Sequence, residues 1–370
     1  YNVGAALTTG GSNAIMGNSA LGTATTAVNN VAIGQSAMGS ITTNSVDGCV
    51  AVGHDAFRGA AGTTTGANYT VAVGRNALYA LTSGGQNIAI GYQSLDTITT
   101  GASNVAIGHQ AMDSTLVNAD DNIAIGYNSM GGTWTGTTSI QNVAIGTNTL
   151  DDALNAANNN VAVGHNALTA LTIGADNVSV GSLSGDALVS GSGNTVVGRS
   201  AFGAAGVGES YNIAIGNGAL GAADEGTNGN VDHNIAIGYT AFYGGDINTS
   251  STDQIGNIAI GNYALDAVST NAHTGTIGIG HQSLSALTSG TGNMAIGYQA
   301  MLTHTTGSRN IAIGYGAMDD TDAGSTSLGS NDNLFIGYDS GGGTWTNAAS
   351  NRNTGIGNYT LDGALQSAYD

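Results

Sequence analysis

The chain of 370 residues has no proline, no lysine, one cysteine, two glutamates and five arginines. Each scarcity excludes something. Five cations against a formal net charge of −19 leave no basic surface to neutralise phosphates, so nucleic acid is excluded as a partner. The single cysteine, Cys49, has no partner in its own chain and builds no disulfide framework. No run of 18 apolar residues occurs, which argues against membrane insertion by a helix. Glu209 and Glu225 both lie in insertions, the seven histidines are scattered, and no HExxH pattern is present. The expectation is therefore no enzyme, no metal site and no cofactor. Without lysine and with few arginines, the chain is expected to resist trypsin-like proteases, and the absence of proline favours a regular fibre.

What is abundant is glycine, 61 residues of it, together with 41% hydrophobic residues held at fixed columns. The phrase "NIAIGYQSL" at 87–95 returns as "NVAIGHQAM" at 104–112 and "NMAIGYQAM" at 293–301. Its glycine recurs nineteen times from Gly17 to Gly357, at intervals of 17 to 23 residues. Insertions confined to one part of each unit read as loops on one face of a solenoid. Disorder, which so much glycine and asparagine would otherwise suggest, is excluded because every coil has apolar columns to bury.

Counted from that glycine, the columns divide the labour. Asn stands four residues before it in sixteen units, Cys49, Thr70 and Thr276 being the exceptions. A short amide at this place suits a turn or a stacked ladder, for which Asn87, Asn104, Asn122, Asn142, Asn160 and Asn177 are the candidates. The residue just before the glycine is aliphatic in every unit, from Met16 to Ile356, and is expected to be core. Two before is mostly Ala, with Ile15, Ser179, Val196, Gly278, Phe335 and Gly355 departing, and three before is usually Ile or Val. Branched, small, branched predicts a short strand with one face buried. Beyond the glycine come two variable residues, a small one, then Leu, Met or Phe in all but two units, which have Gly185 and Gly341. This second arm suits a bent strand or one turn of helix equally well.

The fold expected is mainly β: a parallel β-solenoid, or β-roll, of about nineteen coils of 17–23 residues in a single elongated repeat domain, 1–370. One coil cannot bury enough to stand alone, so stability is a sum over coil interfaces. The chain opens on "YNVGAALTTG" and closes on "NYTLDGALQSAYD", part-way through a unit and without a visible polar cap. The expectation from this is a segment of a longer or self-capping fibre.

"NVAIG" followed by a small residue and Leu, with "TTG" connectors, resembles the head repeats of YadA-like trimeric autotransporter adhesins. It resembles still more the "NTAIGYQAL" repeats of bacteriophage tail-fibre and related surface proteins. The resemblance covers nearly the whole chain. It implies a left-handed parallel β-roll, usually homotrimeric, working as a rigid spacer or adhesin outside a cell, on its surface or on a virion.

Function then depends on what the scaffold displays. The column after the glycine holds Tyr92, Tyr127, Tyr239, Tyr298, Tyr315 and Tyr338, His54, His109, His165 and His281, and Arg75 and Arg199. Tyrosine and histidine offer a flat ring and a polar tip, so this column is the candidate contact for a cell-surface glycan or receptor; the competing reading is packing along the scaffold. The Asp residues of the connectors, among them Asp120, Asp121, Asp151, Asp152, Asp319 and Asp320, read as solvated loop charge in preference to calcium ligands, since no Asp-x-Asp pattern repeats. His233, His273 and His304 fall in connectors and are expected to be exposed. Three roles follow: a structural fibre or filament that associates with itself as a trimer or end to end, an adhesin, and an ice-binding solenoid. Thr collects in connectors instead of a strand column, which argues against the third.

Overall fold

The computed structural model describes residues 3–41, 46–59, 64–114, 119–134, 138–222, 230–244, 253–267, 273–321, 329–345 and 349–363. They fall into two compact units, Tyr1–Asn177 and Val178–Asp370. Each is a parallel β-solenoid. The first has nine three-residue strands, from Ala14–Met16 to Val161–Val163, and the second has ten, from Val178–Val180 to Thr354–Ile356. Successive strands within a unit pair in parallel and in register, as Ile88–Ile90 does with Val105–Ile107 and Met294–Ile296 with Ile311–Ile313. In the second unit a further ladder joins Val231–Asp232, Gln254–Ile255 and His273–Thr274. No helix is found among the described residues.

The strand is inverted relative to the expectation from its aliphatic column. The inward residue is the small one: Ala32, Ala89, Ala106, Ala236 and Ala312 are all fully buried. The branched residues on either side face outward, and Ile90 and Ile145 are each 38% exposed. The reason is the space inside a coil. Leu, Met or Phe from the second arm fills most of it, leaving room for little more than a methyl group opposite. At Gly278 even that methyl is missing, and a Cβ there would lie 2.7 Å from a methyl of Leu265, the large residue of the preceding coil. Because side chains alternate along a strand, placing Ala inside forces both branched neighbours out.

Departures from the pattern compensate one another in the same confined space. Phe335 replaces the inward Ala and packs edge-to-face on Trp345, their centroids 5.9 Å apart. Two positions around it are glycine, Gly341 and Gly355, and a Cβ at either would stand 2.7 Å from the Phe335 ring. Likewise Ser179 takes an inward position opposite Ser184, and their hydroxyls lie 2.6 Å apart.

The second arm is neither a bent strand nor a turn of right-handed helix. It is a tight turn in which two alternate residues, the second and the fourth after the repeat glycine, are left-handed in every coil. At the fourth the non-glycine φ values run from 44° at Phe57 to 54° at Leu78. Such a conformation costs an L-residue about 1–2 kcal/mol. Burial of the large side chain offsets that cost, for Phe57, Leu78, Leu95 and Met112 are fully buried. Hydrogen bonding adds to it: the N–H of Leu95 donates forward to Ala111 (3.0 Å), and the N–H of Gln93 donates back to Arg75 (3.0 Å). The repeat glycine itself has φ between 124° and 146°. A Cβ on Gly108 would stand less than 3.0 Å from the carbonyl of Gly126 one coil on, so close backbone approach reserves this column for glycine.

Candidate functional site

Regular stacking converts each sequence column into a row of side chains along the axis of its unit. The asparagine row is internal. In the first unit Asn87, Asn104, Asn122, Asn142, Asn160 and Asn177 are buried. The Oδ1 of Asn104 accepts both the backbone N–H of Asn122 (3.1 Å) and its Nδ2 (3.3 Å). The same pair of hydrogen bonds joins Asn142 to Asn122 and Asn160 to Asn142. Each Nδ2 also donates to a connector carbonyl, Asn142 to Ala157 (2.8 Å) and Asn160 to Gly174 (3.0 Å). The amide thus satisfies buried backbone groups on the strand side and the connector side at once.

Outside the strand lie two aliphatic columns. Besides Ile90 and Ile145, Val180 is 37% and Ile215 36% exposed. Within each unit they form a sheet face made mostly of Ile and Val, interrupted by Ala14, Met16, Thr195, Met294 and Thr354.

The tyrosine and histidine column forms stacks. In the first unit His109 lies between Tyr92 and Tyr127, at 5.1 and 5.3 Å between centroids. In the second, His281, Tyr298, Tyr315 and Tyr338 follow one another at 5.2, 5.0 and 5.2 Å, with interplanar angles of 25°, 10° and 11°. Tyr239 meets Tyr263 edge-on, and Tyr263 meets His281 in the same way. His165 stands apart from these stacks, since its column neighbour one coil earlier is Thr147. Ring faces are turned to one another within the stacks, so edges and phenol oxygens are what the surface presents. Tyr263 and Tyr359, one position further along, join the row although they belong to a different column. Tyr211 and His233, five residues before their glycines, make a separate stack at 5.2 Å. The signal for these was aromatic identity at the same register in successive coils.

A fourth row is acidic and half-buried, and it takes in Asp151 and Asp319, expected from the sequence as solvated loop charge. Asp96, Asp113, Asp151, Asp186, Asp266 and Asp319 all stand five residues after a repeat glycine. Burial raises the pKa of every one of them. Where another carboxylate stands near, the rise is larger: Asp96 and Asp151, both near Asp113, and Asp319, near Asp339, are each pushed up to about 6. Both Asp151 oxygens accept from the Nδ2 of Asn128 (2.8 Å). Of the connector carboxylates, Asp120 accepts from the Ala102 N–H (2.7 Å), Asp152 from the Ala153 N–H (2.7 Å) and Asp320 from the Thr344 hydroxyl. These oxygens are engaged by the chain's own donors. Among the described residues no group of three or more His, Cys, Asp or Glu side chains could hold a metal ion.

The remaining candidates are internal. His273 and His304 are fully buried, contrary to the exposure expected of connector histidines, whereas His233 is exposed. Connectors line the interior as well as the surface. His304 is seven residues after its glycine, the place held by Leu81, Leu171 and Leu287 in other coils. It meets the Thr321 hydroxyl at 3.1 Å. His273 lies 3.2 Å from the Thr288 carbonyl, and burial lowers its pKa. Glu209 is buried too, and its Oε1 accepts from the Gly206 N–H at 2.6 Å; Glu225 lies outside the described residues. Cys49 fills its asparagine position as a buried thiol 3.2 Å from the Ala67 carbonyl, and burial raises its pKa to about 11. Such a thiol is held protonated and unreactive.

The chain matches no protein-family model, no curated protein and no solved structure.

Proposed function

We propose that this chain is a structural segment of an extracellular fibre or stalk, without catalytic activity, that associates with further copies of itself through the outward aliphatic face of its strands. One observation carries the reading: in each unit a double column made mostly of Ile and Val faces outward, in an acidic chain with five cations. Exposed apolar surface of that regularity marks an association site, and a sheet face can meet a second identical face by stacking side chains. The interior supports a scaffold role. Asn rows and left-handed turns repeat from coil to coil, and the titratable groups buried among them are held by backbone or side-chain partners of the same chain.

The tyrosine and histidine stacks fit this reading better than a glycan site does. A sugar stacks on an aromatic face, and here those faces are spent on neighbouring rings. Light scattering on the native protein, with electron micrographs of the same sample, tests the proposal. The expected mass is a multiple of 36.3 kDa with rod-like or filamentous particles; a solution of single chains at micromolar concentration overturns it.

A further inference from the structure

We propose that Tyr298, Tyr315 and Tyr338 form a site of oxidative cross-linking, at which adjacent coils of one chain become joined through dityrosine bonds. Three observations converge on these residues. Their rings stack at 5.0 and 5.2 Å, nearly parallel at 10° and 11°. All three are open to solvent, at 42%, 50% and 44% exposure. Their backbones are fixed by the coil: the Gly297 and Gly314 N–H groups donate to Ile279 and Ile296 at 2.8 Å. Two phenols are therefore held within reach of each other at a spacing that stacking maintains, a proximity that substitutes for diffusion. The other tyrosine pairs meet edge-on, Tyr239 with Tyr263 at 76° and Tyr338 with Tyr359 at 64°.

The chemistry balances with hydrogen peroxide and a haem peroxidase as the external oxidant. Each phenol gives up one electron and one proton and becomes a phenoxyl radical. The two radicals share their unpaired electrons in a new bond between ring carbons ortho to the oxygens. The hydrogens on those carbons move to the oxygens and restore two phenols. Two hydrogens leave in all, and one peroxide becomes two waters. The product is a covalent staple between coils 17 residues apart at Tyr298–Tyr315, or 23 apart at Tyr315–Tyr338. Closing such loops lowers the entropy of the unfolded chain.

The arginine positions make the test direct. Complete cleavage after arginine places Tyr298 in peptide 200–309 and leaves Tyr315 and Tyr338 as the two tyrosines of peptide 310–352. The full chain is treated with peroxidase and peroxide, and the product that stays a single chain under denaturing conditions is digested and weighed. Expected are peptides 200–309 and 310–352 joined with the loss of two hydrogens, or 310–352 lighter by two hydrogens, together with dityrosine fluorescence. Tyr315→Phe keeps the ring in the stack and removes the phenol; it should lower the intrachain dityrosine yield at least fivefold. Tyr243→Phe, outside the stacks, should leave the yield unchanged. Equal yields from wild type and Tyr315→Phe overturn the proposal, as does dityrosine confined to bonds between chains.

Discussion

Two stretches of the same asparagine row behave differently within the first unit. From Asn87 to Asn177 each successive amide is joined to the one before it by a pair of hydrogen bonds, and every partner is buried. At Cys49 and Thr70 the row breaks. Cys49 still takes its place under Asn30, whose Oδ1 accepts the Cys49 N–H at 2.8 Å. Its thiol offers no carbonyl oxygen to the next coil, and the Thr70 hydroxyl is turned to the Asn68 carbonyl at 3.4 Å. The backbone stacks through the break without a change of register, Val50 opposite Val71. Coil geometry is thus set by the glycine column and the strand ladder, while the asparagine row adds stability on top of a geometry already determined.

That ordering can be broken at its strongest point first. Gly108→Ala brings a methyl group into the backbone of the next coil at a φ of 144°. It should cost more than about 4 kcal/mol, read as a large fall in thermal midpoint or as failure to fold. Asn122→Ala removes the donors to Ser139 and Asp120 and strands the Asn142 N–H. By denaturant titration it should cost about 3 kcal/mol and leave the circular dichroism of the folded state unchanged. Cys49→Asn extends the row in the opposite direction, and a gain of about 1 kcal/mol is expected. A loss there would contradict the stabilising role assigned to the row.

The acidic row gives the smallest effect. Asp96 has a folded-state pKa raised to about 6, above its usual range, through burial and then through Asp113. The folded chain therefore holds its proton more tightly than the unfolded chain does. The resulting stabilisation is fully present below about pH 4, declines as pH rises through 6, and is absent at pH 7. For a half-buried carboxyl the contribution is about 1 kcal/mol or less after solvent screening. Thermal midpoints between pH 4.5 and 7.5 should fall less steeply in Asp96→Asn than in wild type, a comparison that cancels the general effect of net charge.

The repeat, the strand and the solenoid were legible because every coil repeats the same glycine and most repeat the same Asn and the same branched–small–branched triplet. Which side of the triplet faces inward was not legible. Alternation alone gives two equivalent choices, and hydrophobicity favours the wrong one; only the volume of second-arm residues such as Leu265 or Phe57 inside the coil decides for Ala. The left-handed turns were invisible for a related reason. Leu, Met and Phe are poor left-handed residues, so nothing in Leu95 or Met112 announces φ near 50°. A polar side chain in a connector reads as exposed by type, but His304 occupies the inward column of Leu81 and Leu171. Tyr and His recur at one register, but a column does not reveal whether its rings face a ligand or one another.

The central claim is that the outward Ile and Val columns are an association face. Its most direct test replaces Ile90 and Ile145, both 38% exposed, by glutamate and measures the native mass beside that of wild type. The account predicts that the double variant keeps its circular dichroism spectrum and falls from a multiple of 36.3 kDa to 36.3 kDa, because like charges at a desolvated face cannot be paired by a chain with five cations. An assembly of unchanged mass would contradict it and place self-association on another surface.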